Sequence, residues 1–302
     1  QAGDNDTNGI SIRANALALN NGTIRDLAGN NATLTHSAVS DNNSYMVDTD
    51  APRVDNFTLS DTALKVGDNA TVNLGFSETV IEFIAADINL DNATGTLPSM
   101  TSSDNITWTG TFTPTANREA SNTLSLATSY TDTAGNAGPA ETTANYEVDT
   151  LAPSVSSFTL SDTALKAGDN ATVELVFSEA VASFSAADIN LDNATGTLPS
   201  MTSSDNITWT GTFTPTANRE ASNTLSLATS YTDTAGNAGP AETTANYEVD
   251  TLAPSVSSFT LSDTALKAGD NATVELVFSE AVASFSAADI NLDNATGTLP
   301  SM

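Results

Sequence analysis

Between Ile207 and Phe213 apolar and polar residues alternate. Ile207, Trp209 and Phe213 fall on one side, Thr208, Thr210 and Thr212 on the other. Successive side chains of an extended chain point to opposite faces, so this stretch reads as a half-buried strand. Residues 171–177 repeat the pattern, with Val173, Leu175 and Phe177 facing one way and Thr172, Glu174 and Val176 the other. Further short segments rich in Val, Thr and aromatic residues lie around 155–160, 181–191, 197–201, 224–231 and 243–249. The third strand, 181–191, reads as broken near 185–187, and the turn 161–170 holds Gly168-Asp169-Asn170. No segment keeps the 3.6-residue period of an amphipathic helix over three turns. Trp209 shares a face with Ile207 and Phe213 and is expected in the core. Tyr231, just before a turn, is expected there too, with its hydroxyl bound to nearby backbone.

Seven short strands in about 100 residues, separated by Gly, Asn, Asp and Pro, predict an all-β fold. The architecture implied is an immunoglobulin-like seven-stranded antiparallel sandwich. The pattern also recurs. Asp48, Asp149 and Asp250 each open an Asp-Thr-X-Ala-Pro junction, at a spacing of 101 residues (149 − 48 and 250 − 149). Residues 251–302 reproduce 150–201 without a difference, and 49–149 differ from 150–250 at 11 positions, all within the first 36 of the unit. A period this long is a whole small domain, not a solenoid turn. Four segments follow: 1–48, the C-terminal part of a divergent unit; 49–149 and 150–250, two complete units; and 251–302, the N-terminal part of another. The linear array starts and stops inside a unit, so it reads as a stretch of a longer one. The partial unit 251–302 is expected to leave a sheet edge unpaired and to be disordered or aggregation-prone in isolation.

Charge sharpens this picture. The chain carries 8 Lys+Arg against 37 Asp+Glu, a net −29. With no basic patch to release counterions, nucleic acid is excluded as a natural partner. Absence of Cys excludes a disulfide framework and thiolate metal sites. No apolar run approaches 18 residues, so nothing in this segment predicts membrane insertion. His36 is the only His and lies in a partial unit, so no repeated catalytic triad can use it. The chain is not expected to be an enzyme.

Strand order gathers the acid. In an antiparallel sandwich the loops after the second, fourth and sixth strands share a pole with the incoming chain. Glu179 opens the first of these loops, Asp205 lies in the next, Asp233 and Asn237 bracket the last, and Asp149 enters beside them. The same set recurs as Asp48, Glu78, Asp132 and Asn136, with Asp104 in the middle loop, and in part as Asp250 and Glu280. Like charges held together raise one another's pKa, and a hard oxygen-seeking cation relieves them. Calcium suits this donor set better than magnesium or zinc. The competing reading is that Asp233 and Asn237 only cap a tight turn. Asp4-Asn5-Asp6-Thr7-Asn8-Gly9 matches the first half of a calcium loop, but its twelfth position is Asn15, not Glu. It is no EF-hand. Asp4, Asp6 and Asn8 read as a plain turn or an isolated calcium turn. Asp50 replaces Leu151 at the first junction, adding a ligand there or changing its hinge.

The motifs Asp-Thr-X-Ala-Pro, Phe-Ser-Glu-(Ala/Thr)-Val, Ala-Ala-Asp-Ile and Tyr-Thr-Asp-Thr-Ala-Gly-Asn resemble the bacterial Ig-like repeats of giant surface adhesins, RTX-type proteins among them. The resemblance covers 49–302; residues 1–48 resemble a neighbouring Ig-like group. It implies an extracellular, surface-held extender between an anchor and a distal binding tip whose ligand lies elsewhere. The partners of each unit would be the neighbouring repeats of the same chain. In such arrays calcium often stiffens junctions, a role that by motif falls on Asp149, Glu179 and Asp233, and on Asp48, Glu78 and Asp132. The alternative is that each unit is itself an adhesion module for a glycan or protein, with tandem copies supplying avidity.

Overall fold

The computed structural model describes residues 4–300. It divides into two compact units, Gln1–Ala152 with Asp233–Asn237, and Pro153–Thr232 with Ala238–Met302. Within the first, residues 54–149 form a sandwich of two layers. One sheet runs Val54–Leu59, Ala70–Phe76, Thr107–Pro114, Gly95–Thr96 in spatial order. Ala70 pairs with Phe112 and Leu74 with Trp108 in its antiparallel centre. The facing layer is pieced from short strands. Glu119–Asn122 lies against Tyr146–Asp149, Ser125–Leu126 lies between Ile88–Asn89 and Glu141–Thr142, and Thr131–Asp132 pairs with Val80–Ile81. Alternation sends Val72, Leu74, Phe112, Leu124, Tyr130, Tyr146 and Val148 into one core.

The second repeat has the same ladders. Val155–Leu160, Ala171–Phe177, Thr208–Pro215 and Gly196–Thr197 form its first sheet. The all-β immunoglobulin-like fold read from the pattern is the fold observed. Tyr231 is fully buried and its hydroxyl donates to the Pro240 carbonyl at 2.9 Å. The third strand is broken by a 3-10 turn at Ala186–Asp188.

Three details differ from the sequence reading. Ala164–Lys166, taken as turn, is a strand that crosses to the second sheet and pairs parallel with Tyr247–Asp250. Three residues are too few for alternation to show, yet they bury Leu165. Glu220–Asn223, outside the expected sixth strand, extends it through pairing with Tyr247–Asp250. Trp209 is half-buried at the core edge, packed edge-on against Phe184 at 4.9 Å, rather than enclosed.

One pair of differences between the repeats is coupled. Asn56 lies opposite Gly75 in the ladder, where the second repeat has Ser157 opposite Val176. A Cβ on Gly75 would overlap the Asn56 carboxamide. Glycine inside a strand costs roughly 0.5–1 kcal/mol. Asn56→Ser with Gly75→Val is therefore expected to stabilise the first repeat by about that amount, more than Gly75→Val alone, as read by chemical denaturation.

Candidate metal centre

Three chain segments converge on one end of the first repeat. Strand Ala70–Phe76 ends in Ser77-Glu78, and Ser77 is tied back to Arg53 by hydrogen bonds in both directions. Strand Thr131–Asp132 ends in a tight turn. Asp132 Oδ1 accepts from the backbone N–H of Ala134 (2.8 Å) and Asn136 (2.9 Å), and Oδ2 accepts from Asn136 Nδ2 (2.7 Å). Gly135 sits at φ +95°, the left-handed region that favours glycine. The third segment is the linker. Asn136 Nδ2 also donates to the carbonyls of Asp48 (3.2 Å) and Asp50 (3.1 Å), clipping the linker onto the turn.

The result is an acidic trio. One carboxylate oxygen each from Asp48, Glu78 and Asp132 lies within 4.8 Å of the others. Burial pushes the Glu78 carboxyl up, and Asp48, Asp132 and Asp50 push it further, with Arg53 opposing. Asp132 is buried too, which alone would raise it. The hydrogen bonds from Asn136, Ala134 and Gly135 outweigh burial and hold it below the usual range. A cleft of about 530 Å³ opens beside Asp48 and Glu78, lined also by Asp6 and Asp50. Carboxylates and carbonyls without His or Cys are the donors a hard cation takes, so this set fits calcium.

Residues 48–148, 149–249 and 250–302 each match the sequence model of the bacterial Ig-like domain. The chain belongs to that family. No curated protein matches the sequence. Among solved structures, the Escherichia coli adhesin FdeC aligns at 13% identity over 74% of this chain and 71% of its own, with a TM-score of 0.38. The I9–I11 tandem of titin aligns at 7% identity over 70% and 69%, TM-score 0.31. Domains 4–9 of the surface-layer protein SbsC align at 13% identity over 72% of this chain and 34% of theirs, TM-score 0.22. Membership in the bacterial Ig-like family rests on the sequence model, not on these remote likenesses.

The other expected residues are placed as follows. In the second Ig-like domain Asn237 repeats the clip, donating to Asp233 Oδ2 (2.8 Å) and the Asp149 carbonyl (2.9 Å). Burial raises the Asp149 carboxyl; the Leu151 N–H opposes this, while Asp233 and Glu119 raise it further. Glu179 follows strand Ala171–Phe177 as Glu78 follows its counterpart. Asp104 and Asp205 lie outside the acidic trio's geometry. Each takes two backbone N–H groups of its own turn and a serine hydroxyl, from Ile106, Thr107 and Ser102 in the first case and Ile207, Thr208 and Ser203 in the second. Asp250 accepts from the Leu252 N–H (3.2 Å), and Glu280 follows strand Val274–Phe278. Among the described residues these two join no cluster of three acids.

Around Asp6 the geometry is that of an Asx turn: Oδ1 accepts from the N–H of Asn8 (3.2 Å) and Gly9 (2.9 Å), and Asn8 Nδ2 reaches Asp41 (2.7 Å). The Asp4 carbonyl accepts from Thr49 Oγ1. Asn5 is a residue that sequence reasoning missed. Its amide bridges the Thr49 N–H and the Asp50 carboxylate, over 45 positions in the second case. No local pattern announces such a contact.

The raised Glu78 carboxyl has a signed consequence. A group whose folded pKa is raised contributes stability below its unfolded pKa and loses that contribution as pH rises through the folded pKa. At neutral pH and without a cation, ionised Glu78 therefore opposes folding. Glu78→Gln is expected to raise the melting temperature in EDTA by a few degrees at pH 7, with the gain vanishing toward pH 4. Calorimetry across that range reads it.

Proposed function

We propose that this segment is a non-enzymatic spacer of a bacterial surface adhesin, held outside the cell, whose junctions take up calcium and stiffen. The observation that carries the reading is the acidic trio Asp48, Glu78 and Asp132 at the linker of a near-identical tandem array. Near-identity of units suits a role in which length matters and the individuality of each unit does not. Each sandwich would contribute roughly 30–40 Å of rod, from strands rising about 3.3 Å per residue plus loops.

Calcium, when bound, would supply the positive charge that the trio lacks. Asp48, Glu78 and Asp132 would hold it, and Asn136 would keep linker and turn in register. Among the described residues no helix is long and apolar enough to cross a membrane, so anchoring would fall to other parts of the protein or to strands.

Small-angle scattering of the chain in EDTA and in millimolar calcium tests the proposal. A longer, narrower distribution of distances in calcium is expected, and it should disappear in Glu78→Gln paired with Glu179→Gln. The same flexible envelope in both conditions would sink the stiffening mechanism.

A further inference from the structure

The first compact unit is not continuous in sequence, because it takes in the turn Asp233–Asn237. One side chain ties the turn there. Asn237 is 2% exposed, and both its amide hydrogens and its oxygen are engaged. Nδ2 donates to Asp233 Oδ2 (2.8 Å), inside the turn, and to the Asp149 carbonyl (2.9 Å), where the chain leaves the first repeat. Oδ1 accepts the backbone N–H of Val66 (2.9 Å), 171 positions earlier. Beside it Gly236 lies against the Lys65 stem, and a Cβ built there would stand 3.3 Å from Lys65 Cδ.

The surface that Asn237 meets is preformed. Lys65–Asp68 is a four-residue turn closed by the Asp68 N–H on the Lys65 carbonyl (3.1 Å), and its third residue, Gly67, has φ +86°. Those are the marks of a type II turn. The Asp68 carboxylate closes it a second time, accepting from the Lys65 N–H (3.1 Å) and ammonium (3.0 Å). Neither closure uses the Val66 N–H. The Val66 side chain is itself 58% exposed, so the contact belongs to its backbone. The second repeat has the same turn at Lys166–Asp169, with Gly168 at φ +88° and the Asp169 N–H on the Lys166 carbonyl (3.1 Å). Each complete repeat thus carries such a turn and an Asp-Thr-Ala-Gly-Asn turn, at 132–136 and 233–237.

We propose that the Lys65–Asp68 turn is a docking site for the Asp-Thr-Ala-Gly-Asn turn of the repeat that follows, and that Asn237 is the latch. Its amide grips the docking turn through Val66 and the chain leaving the first repeat through Asp149. An aspartate in its place would lose both donated hydrogen bonds and set a third carboxylate beside Asp149 and Asp233. The latch uses a neutral amide and no cation. It therefore holds without calcium and stands apart from the calcium reading.

The test is run on the full chain in EDTA. The chain has no Cys, so spin labels at Thr58→Cys and Thr234→Cys, both exposed positions, report one distance by pulsed electron paramagnetic resonance. A single narrow distance is expected. Val66→Pro removes the N–H and should broaden it. Proline is favoured at the second place of a type II turn, so the melting temperature should stay within about 2 °C of the parent. Val66→Ala keeps the N–H and should keep the distance narrow. Independently of these variants, the Val66 amide should exchange about 5-fold faster in Asn237→Ala than in the parent, the worth of one hydrogen bond. The exchange comparison decides alone if Val66→Pro unfolds the repeat. A broad distance in the parent overturns the proposal, as does a Val66→Pro distance as narrow as the parent's. So does a Val66→Ala distance as broad as that of Val66→Pro, or a Val66 amide that exchanges equally fast with and without Asn237.

Discussion

Gly239→Ala is expected to lower the melting temperature of the second repeat by more than about 10 °C. A Cβ at this position would overlap the ring of Tyr231. That ring has no room to yield. It is fully buried, its centroid lies 4.9 Å from Phe177 and 6.2 Å from Phe184, and its hydroxyl is held by the Pro240 carbonyl. Moving it would open the core and strand a buried hydroxyl, and overpacking combined with a lost buried hydrogen bond costs about 3 kcal/mol or more. For a domain of this size each kcal/mol is worth roughly 4–8 °C. Gly138→Ala repeats the experiment in the first repeat, where the clash is with Tyr130. Gly297→Ala is the control, since nothing lies within 4 Å of it. A Gly239→Ala protein melting within about 2 °C of the parent would show that the tyrosine ring is not locked in place.

Calcium should have an effect of similar size and opposite sign. Ligand that binds only the folded state adds about 2.7 kcal/mol at a hundred times its dissociation constant, equivalent to a rise of about 10 °C or more. The gain should be greater at pH 7 than at pH 4, because the carboxylates must be ionised to ligate. The raised Glu78 carboxyl makes that loss begin at a higher pH than an ordinary glutamate would. Glu78→Gln separates the two contributions of this residue. In EDTA the variant should be the more stable protein, and in calcium it should lose most of the rise. Asp132→Asn should also abolish the rise, but at a cost to the bare fold, since its carboxylate holds the turn through Ala134 and Asn136. Equal melting curves with and without calcium for the parent chain would reduce the trio to turn chemistry and surface charge.

Alternation and repetition alone specified much of this molecule. Ile207 to Phe213 announces a strand because a pleated chain sends neighbours to opposite faces, and water sorts those faces. The 101-residue period makes the domains visible without any structure. The buried hydroxyl of Tyr231 was legible from its place before a turn, and the nearness of Asp48, Glu78 and Asp132 from strand order. Other features depend on distances that only a folded chain sets. Ala164–Lys166 is a strand because a parallel edge of Tyr247–Asp250 is there to receive it, not because three residues prefer to be extended. Asp104 looks like Asp132 in sequence and both carboxylates cap their own turns, but only Asp132 lies beside Asp48 and Glu78, and that placement is made by backbone path. Asn5 finds Asp50 over 45 positions. The clearest case is the pair of identical segments 150–201 and 251–302. The same residues bury Phe158 and expose Phe259, because a side chain's burial belongs to the strands that cover it, and those lie elsewhere in the chain.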